Sequence, residues 1–333
     1  MFIKGDSVML AIKQDSSTTV SVAMGTYNGG RFLLELLSSV ATQTLLPIEL
    51  VICDDGSTDT TAQIVTDFKR SVPFEVRFVQ NSSRLGIAKN YEKAIRLCRG
   101  KFIALVDQDD AWNPDKLNRC IEVLERNSDL GGVFSDAELM DEHSALLGRR
   151  LWSGVPFRPR KDRYNSLEFM RLLLKQNVAT SPTIVFRSEL RETIVPIPAA
   201  WMQDAWIVWM IVLYSSLGFI REPLVRYRIH SAQEMGLAST SLRDRFRMAH
   251  RARNLAYIEL AQRFGNLREK LLEHPSPEQV SYLRELDRRI QLFHLQSKLP
   301  SNRIMRAAQI ISAFPSYIRY TRGLVTICRD LLV

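Results

Sequence analysis

With 333 residues, 46% hydrophobic and 24% charged side chains, 15 Gly and 13 Pro, the chain has ordinary globular usage and material for one large domain with an appendage, or for two domains. Disordered, collagen-like and mucin-like classes are excluded. The formal charge of +9 is uneven: residues 241–333 carry 17 basic and 8 acidic side chains, and residues 1–240 carry 28 of each. A neutral body with a basic tail suits an anionic partner, a phospholipid surface or nucleic acid, or plain solvation.

In chain order, Thr19–Met24 is β-branched and short, and it runs through a Gly-rich turn into the helical apolar spacing of Phe32, Leu33, Leu36, Leu37 and Val40. The same strand, loop, helix pattern recurs. Ile48–Cys53 leads to Asp54-Asp55-Gly56-Ser57 and a helix through Ile64, Val65 and Phe68; Val76–Val79 leads to the Asn81–Gly86 loop and a helix over Ile87–Cys98. Phe102–Val106 is apolar throughout and ends at Asp107-Gln108-Asp109-Asp110. Strands without alternation, joined by helices, predict an α/β fold with a mostly parallel sheet covered on both faces. Beyond Leu130 the spacing predicts a strand at Gly132–Ser135, a polar and aromatic loop at Asp141–Pro159 and a helix at Asn165–Gln176. A strand at Thr183–Phe186, a helix at Trp201–Leu213 and two short strands, Gly218–Ile220 and Leu224–Tyr227, follow before His230. From Leu242 the reading is helical, with breaks at His274–Pro277, Leu299–Ser301 and Phe314-Pro315.

Cys53, Cys98, Cys120 and Cys328 form no CxxC pair, which points to a reducing, cytoplasmic setting, and residues 1–20 lack the apolar core of a secretory signal. Ala205–Ile220, the central uncharged stretch, is 16 residues long, shorter than the roughly 20 a spanning helix needs. Neither GxGxxG nor GxxxxGK[ST] occurs, which lowers dinucleotide oxidoreductases and P-loop enzymes.

In a sheet of this kind, ligands sit at the carboxyl ends of the strands, and the acidic turns lie there. Asp107 and Asp109 leave an apolar strand two positions apart. Closely spaced oxygen ligands suit a hard divalent cation, Mg²⁺ or Mn²⁺, that recruits substrate phosphates as further ligands. The same stretch also reads as a helix start, with Asp110 and Asn113-Pro114-Asp115 ahead of a helix at Lys116–Arg126. Asp55, after another strand of the sheet, suits acceptance from a base N–H or a ribose hydroxyl, and Asp-Gly-Ser is also good turn sequence.

The stretches Val20–Leu33, Leu50–Thr61, Asn81–Asn90 and Phe102–Asp115, four motifs in order over about a hundred residues, resemble the family 2 inverting glycosyltransferases with a GT-A fold, and within them the bacterial rhamnosyltransferase-like members. The resemblance implies a Rossmann-like GT-A sheet with helices on both faces and a C-terminal helical region. It divides the chain into an extension at 1–18, a catalytic domain at 19–240 (nucleotide-binding half 19–130, acceptor and catalytic-base half 131–240) and a basic helical region at 241–333. It implies transfer of a sugar from a nucleotide-diphosphate donor, dTDP-rhamnose or a UDP-sugar, to an acceptor hydroxyl on a saccharide or lipid-linked saccharide in bacterial surface polysaccharide synthesis. Thr26, Tyr27, Asp55, Arg84 and Asp107 fall where the family binds the nucleotide sugar, Asp109 and His230 where it holds Mn²⁺ or Mg²⁺, and Asp204 where it places the catalytic base. Asp204 also reads as a helix cap, and Gly25 stands where the family often has Pro or Ala. Arg226 and Arg228 share a strand face that meets phosphate or water.

Two rivals are a phosphatase of the haloacid dehalogenase type, with Asp107 as nucleophile, and a non-catalytic sugar-nucleotide-binding protein. From residue 291 onward, Lys298, Arg303, Arg306, Arg319, Arg322 and Arg329 face one acid, Asp330, among Ile304, Met305, Ile310, Ile311, Phe314, Tyr317, Ile318 and Tyr320. Such a helix either lies on the inner face of the cytoplasmic membrane or packs its apolar stripe on the catalytic domain. No RRM, KH or zinc-finger pattern supports nucleic acid as a partner.

Overall fold

The structure, a computed structural model, describes residues 18–154, 157, 159, 164–231, 242–273 and 279–332. The N-terminal extension up to residue 17, the Met235–Ser241 loop and the break at His274–Pro277 lie outside the described residues.

The strands are β1 (Val20–Thr26), β2 (Glu49–Asp54), β3 (Glu75–Gln80), β4 (Phe102–Val106), β5 (Ala111–Trp112), β6 (Leu130–Met140), β7 (Leu146–Arg150), β8 (Ile184–Arg187) and β9 (Ser216–Arg228). Between them lie α1 (Leu33–Ala41), α2 (Thr61–Lys69), α3 (Ile87–Leu97), α4 (Lys116–Arg126), α5 (Leu151–Gly154), α6 (Ser166–Leu173), α7 (Arg191–Ile194) and α8 (Gln203–Tyr214). Five further helices follow: α9 (Leu242–Leu272), α10 (Gln279–Ser297), α11 (Arg303–Ser312), α12 (Phe314–Tyr320) and α13 (Leu324–Leu332).

The strands form one sheet in the order β3-β2-β1-β4-β8-β6-β9-β5, with β7 on β6. The first four are parallel, as their unalternating apolar runs predict, because β2 and β4 are buried along their whole length and need cover on both faces. In the other half β8 runs antiparallel to β4 and β6, while β9 runs parallel to β6, so this half of the sheet is mixed. The two short strands expected at Gly218–Ile220 and Leu224–Tyr227 are one strand, β9. Pro223 lacks an N–H for the ladder, and the pairing with β6 shifts register around Asp136 there without breaking. The loop expected over Asp141–Pro159 contains the exposed edge strand β7 and the short helix α5.

Register places the chemistry. Thr26 pairs with Asp54 and Met24 with Val106, so β1, β2 and β4 end on one rim and release Tyr27, Asp55 and Asp107 there. The chain moves from β1 to β2 and β3 on one side, then returns to place β4 on the other, which makes the β1–β4 junction a topological switch point.

α8 carries apolar residues on all sides and is buried between the sheet and the C-terminal helices. Trp201, just before it, and Trp209, at its middle, meet the Phe264 ring of α9 at centroid distances of 5.9 and 5.7 Å. Arg171 of α6 pairs with Glu285 of α10 at 2.9 Å, and Arg319 and Tyr320 of α12 converge on the same carboxylate. These ion-paired contacts hold Glu285 well down, at about 2, against the upward push of burial. The tail therefore divides its apolar residues: Ile310, Tyr317 and Tyr320 are buried, whereas Ile304, Met305, Ile311, Phe314 and Ile318 remain exposed. Arg306, expected on a basic surface, is buried and donates to the carbonyls of Pro300, Ser301 and Leu331.

Candidate active site

All eight residues singled out by sequence, Thr26, Tyr27, Asp55, Arg84, Asp107, Asp109, Asp204 and His230, line one cavity of about 780 Å³ at the carboxyl rim of the parallel strands. That is ample for a nucleotide and a sugar.

One wall is a set of cross-linked loops. Asn28 lies in the left-handed region at φ 48°, which Asn tolerates, and its Oδ1 accepts from Thr58 N at 2.9 Å while its own N–H donates to Ser57 Oγ at 2.8 Å. Gln108, between the two aspartates, accepts from Thr26 Oγ1 at 2.6 Å and Tyr27 N at 2.9 Å and donates back to Tyr27 O at 3.1 Å. A Cβ at Gly29 would sit 2.5 Å from Gln108 Oε1, so only glycine lets this amide approach. At Gly25 a Cβ would sit 3.2 Å from both Asn90 Nδ2 and the Tyr91 ring, so the small residue in place of the family's Pro or Ala makes room for Tyr91.

Asp55 has a second task that sequence did not suggest. Its carboxylate accepts from Asn81 Nδ2 (3.0 Å), Leu85 N (2.6 Å) and Gly86 N (2.8 Å), which folds the Asn81–Gly86 loop over the rim. That loop presents Arg84, whose guanidinium lies 4.0 Å over the Tyr27 ring.

The acidic turn is held from beneath. The Tyr91 hydroxyl is 2.5 Å from Val106 O and also contacts Asp107 Oδ1. Burial, and then the Asp109 charge, push the Asp107 carboxyl up. Asp110 is no helix cap; Asp115 occupies that position, and Asp110 is buried with Oδ1 accepting from Arg228 N at 2.8 Å. Burial and the two neighbouring carboxylates push it well up.

Arg228 corrects the sequence reading, because it meets neither water nor an open phosphate site. The side chain is fully buried, paired with Glu35 of α1, and donates to Asp109 O at 2.7 Å and Ser144 Oγ at 3.0 Å. Its strand carries on to His230, whose Nε2 is 2.9 Å from Asp109 Oδ2. Arg226, its neighbour two residues earlier, is exposed.

Asp204 is the second residue of α8, after Met202 as N-cap, so it lies inside the first turn. Its Oδ1 accepts from Ala205 N at 2.5 Å, and burial pushes its carboxyl up to about 6. Gln203, which also lines the cavity, donates to Ser181 Oγ at 2.9 Å. Gln108 and Tyr91 are the residues sequence reasoning missed, and Arg228 the one it misplaced; of the two missed, Gln108 alone had a visible signal, its place between two aspartates after a buried strand.

Residues 21–190, just over half of the chain, match Glycosyl transferase family 2. An uncharacterized glycosyltransferase of Nostoc sp. is 25% identical over 305 residues, covering 90% of this chain and 89% of that protein. The Escherichia coli UDP-Glc:alpha-D-GlcNAc-diphosphoundecaprenol beta-1,3-glucosyltransferase WfgD is 30% identical over 148 residues, 44% of this chain and 54% of its own length. Among solved structures, S. aureus TarS 1–349 in complex with UDP-GlcNAc matches with a TM-score of 0.55 at 17% identity, covering 94% of this chain and 88% of that one. The mannosyltransferase PcManGT from Pyrobaculum calidifontis, in complex with GDP-Man and Mn²⁺, matches with a TM-score of 0.52 at 17% identity, covering 94% and 80%. These likenesses bear out the GT-A fold and remove the haloacid dehalogenase alternative, and the chain belongs to glycosyl transferase family 2 and is a glycosyltransferase.

Proposed function

We propose that this glycosyltransferase is a metal-dependent, inverting enzyme that moves a sugar from a nucleoside diphosphate donor, a UDP-sugar or dTDP-rhamnose, to an acceptor hydroxyl of a bacterial surface saccharide. The observation that carries the reading is the convergence of Asp55, Asp109 and Asp204, from far-apart stretches, on one cavity. WfgD, TarS and PcManGT, whose names or complexes include UDP-Glc, UDP-GlcNAc and GDP-Man, support the donor class.

Tyr27 and Arg84 form a stacked face for the base, and Thr26 and Asp107 lie beneath the ribose and diphosphate. Asp109 and His230 are the residues that would hold Mn²⁺ or Mg²⁺. The fit is fair: an oxygen and a nitrogen donor 2.9 Å apart match adjacent ligands of an ion with bonds of about 2.1 Å, and substrate phosphate would complete the set. Among the described residues no cluster of three or more protein ligands closes such a site. The cation, when bound, neutralises charge on the departing diphosphate. Asp204 accepts the proton of the acceptor hydroxyl as its oxygen bonds to the anomeric carbon and the bond to the β-phosphate breaks on the opposite face. In this reading residues 19–240 are the catalytic unit and 241–333 its helical appendage.

Calorimetry with UDP, dTDP and GDP, each with and without Mn²⁺, tests the donor assignment. One of them should bind at micromolar strength with Mn²⁺ and at least about tenfold more weakly without it. Binding of none, or binding indifferent to Mn²⁺, overturns it.

No helix among the described residues is long and apolar enough to cross a membrane. The exposed Ile304, Met305, Ile311 and Phe314, beside Lys298 and Arg303, nevertheless suit the interface of an anionic bilayer, which fits a lipid-linked acceptor. Co-sedimentation with vesicles of anionic lipid, lost on Ile304→Glu with Ile311→Glu, is the expected result; equal recovery of wild type and variant removes this contact.

A further inference from the structure

A second cavity, of about 450 Å³, opens on the other side of the start of α8, and Asn177, Met202 and Ala205 line both. Its charge is one-sided. Lys175, Arg263, Arg289, Arg322 and Arg329 line it, and among the described residues no carboxylate does. Arg289 of α10 is only 7% exposed and stacks 3.9 Å over the Phe293 ring, and its Nε and Nη1 are buried without a hydrogen-bond acceptor among the described residues. The nearby buried carboxylate of Asp330 is committed elsewhere: it accepts from Tyr257 (2.8 Å), Gln296 (2.8 Å), Tyr317 (3.0 Å) and Arg329 Nε (3.2 Å). Gln296, fully buried, also has an unpartnered Oε1, an acceptor suited to a ligand hydroxyl. A buried guanidinium with open donors is costly unless an anion completes it. Burial, joined by the Arg329 charge and only partly offset by Tyr257 and Asp330, pushes Arg289 down to about 10.

We propose that this cavity is the acceptor subsite and that it takes an oxyanion of the acceptor, a phosphate or a sugar carboxylate, on Arg289. The proposal rests on the glycosyl-transfer reading and adds the acceptor's chemical class. Aromatic faces of Trp209, Phe264 and Phe293 supply apolar walls for a sugar ring. Asn177, Met202 and Ala205, shared by the two cavities, set this subsite beside the cavity that holds Asp204.

Tryptophan emission reads the cavity directly, because Trp201 and Trp209 line it. Full-length protein is titrated with glucose 1-phosphate, with glucuronate and with glucose. A saturable change with glucose 1-phosphate alone identifies a phosphoryl acceptor, and with glucuronate alone a uronate acceptor; glucose should be silent. Arg289→Met, which keeps the contact with Phe293, should weaken the anion roughly 10- to 100-fold, the value of charged hydrogen bonds, and the less buried Arg263→Met provides a second variant. Nucleoside diphosphate affinity, measured by calorimetry in parallel, should stay within about twofold of wild type, so failure of the donor assignment is seen separately. The proposal is overturned if neither anion gives a saturable change, or if both variants bind it as tightly as wild type.

Discussion

Asp204→Asn lowers the transfer rate by about 10²- to 10⁴-fold, the usual contribution of a positioned general base, while nucleoside diphosphate affinity stays within about twofold. The carboxamide keeps the size and helix position of the aspartate but cannot take the acceptor proton. The wild-type rate should also depend on pH in a defined sense. Burial raises the Asp204 carboxyl to about 6, and the base is active only when ionised. kcat/KM should therefore rise about tenfold per unit below pH ~6 and flatten above it, and the Asn variant should lose this limb. Stability runs the other way. A carboxyl whose folded value lies above its model value of 3.8 binds more protons folded than unfolded in between, so stability is lost as pH rises from near 4 to near 6. Asp204→Asn should then be more stable at pH 7, by on the order of 1–3 kcal/mol, seen as a higher Tm. A variant that turns over at the wild-type rate would take Asp204 out of the chemistry. One that loses both rate and Tm would show a structural role instead.

Asp109→Ala is the second large effect, expected at about 10³-fold in rate, since several kcal/mol of charge stabilisation at the departing diphosphate goes with the cation. Calorimetry should show nucleoside diphosphate binding that no longer responds to Mn²⁺. Arg228 holds Asp109 through its backbone carbonyl, and that hydrogen bond survives removal of the side chain, so the fold should persist with an unchanged far-UV spectrum. A Mn²⁺ response as large as that of wild type would separate Asp109 from the metal.

The parallel half of the fold was legible because β1, β2 and β4 are buried on both faces, and that burial shows as unbroken apolar runs. Their common rim followed, and with it the grouping of Tyr27, Asp55, Asp107 and Asp109, whereas Asp204 and His230 were placed by the family resemblance. The mixed half was less legible for physical reasons. β7 is exposed at every position and carries no pattern, and Arg221-Glu222-Pro223 interrupts the apolar run of a strand whose partner absorbs the irregularity. Arg228 looked like a surface arginine because its partner, Glu35, lies 193 positions away in sequence. The second cavity was invisible for the same reason: Asn177, Met202, Phe264, Arg289 and Arg329 meet only after five separate segments pack.

The hydrogen bond from the Arg228 guanidinium to the Asp109 carbonyl separates two properties that usually change together. The acidic turn is tied to β9 by the Arg228 guanidinium on the Asp109 carbonyl and by the Asp110 carboxylate on Arg228 N, and neither bond uses the Asp109 carboxylate or the His230 ring. The side chains at 109 and 230 can thus be exchanged while the turn stays anchored to the strand, so their chemistry is free to change without a change of scaffold.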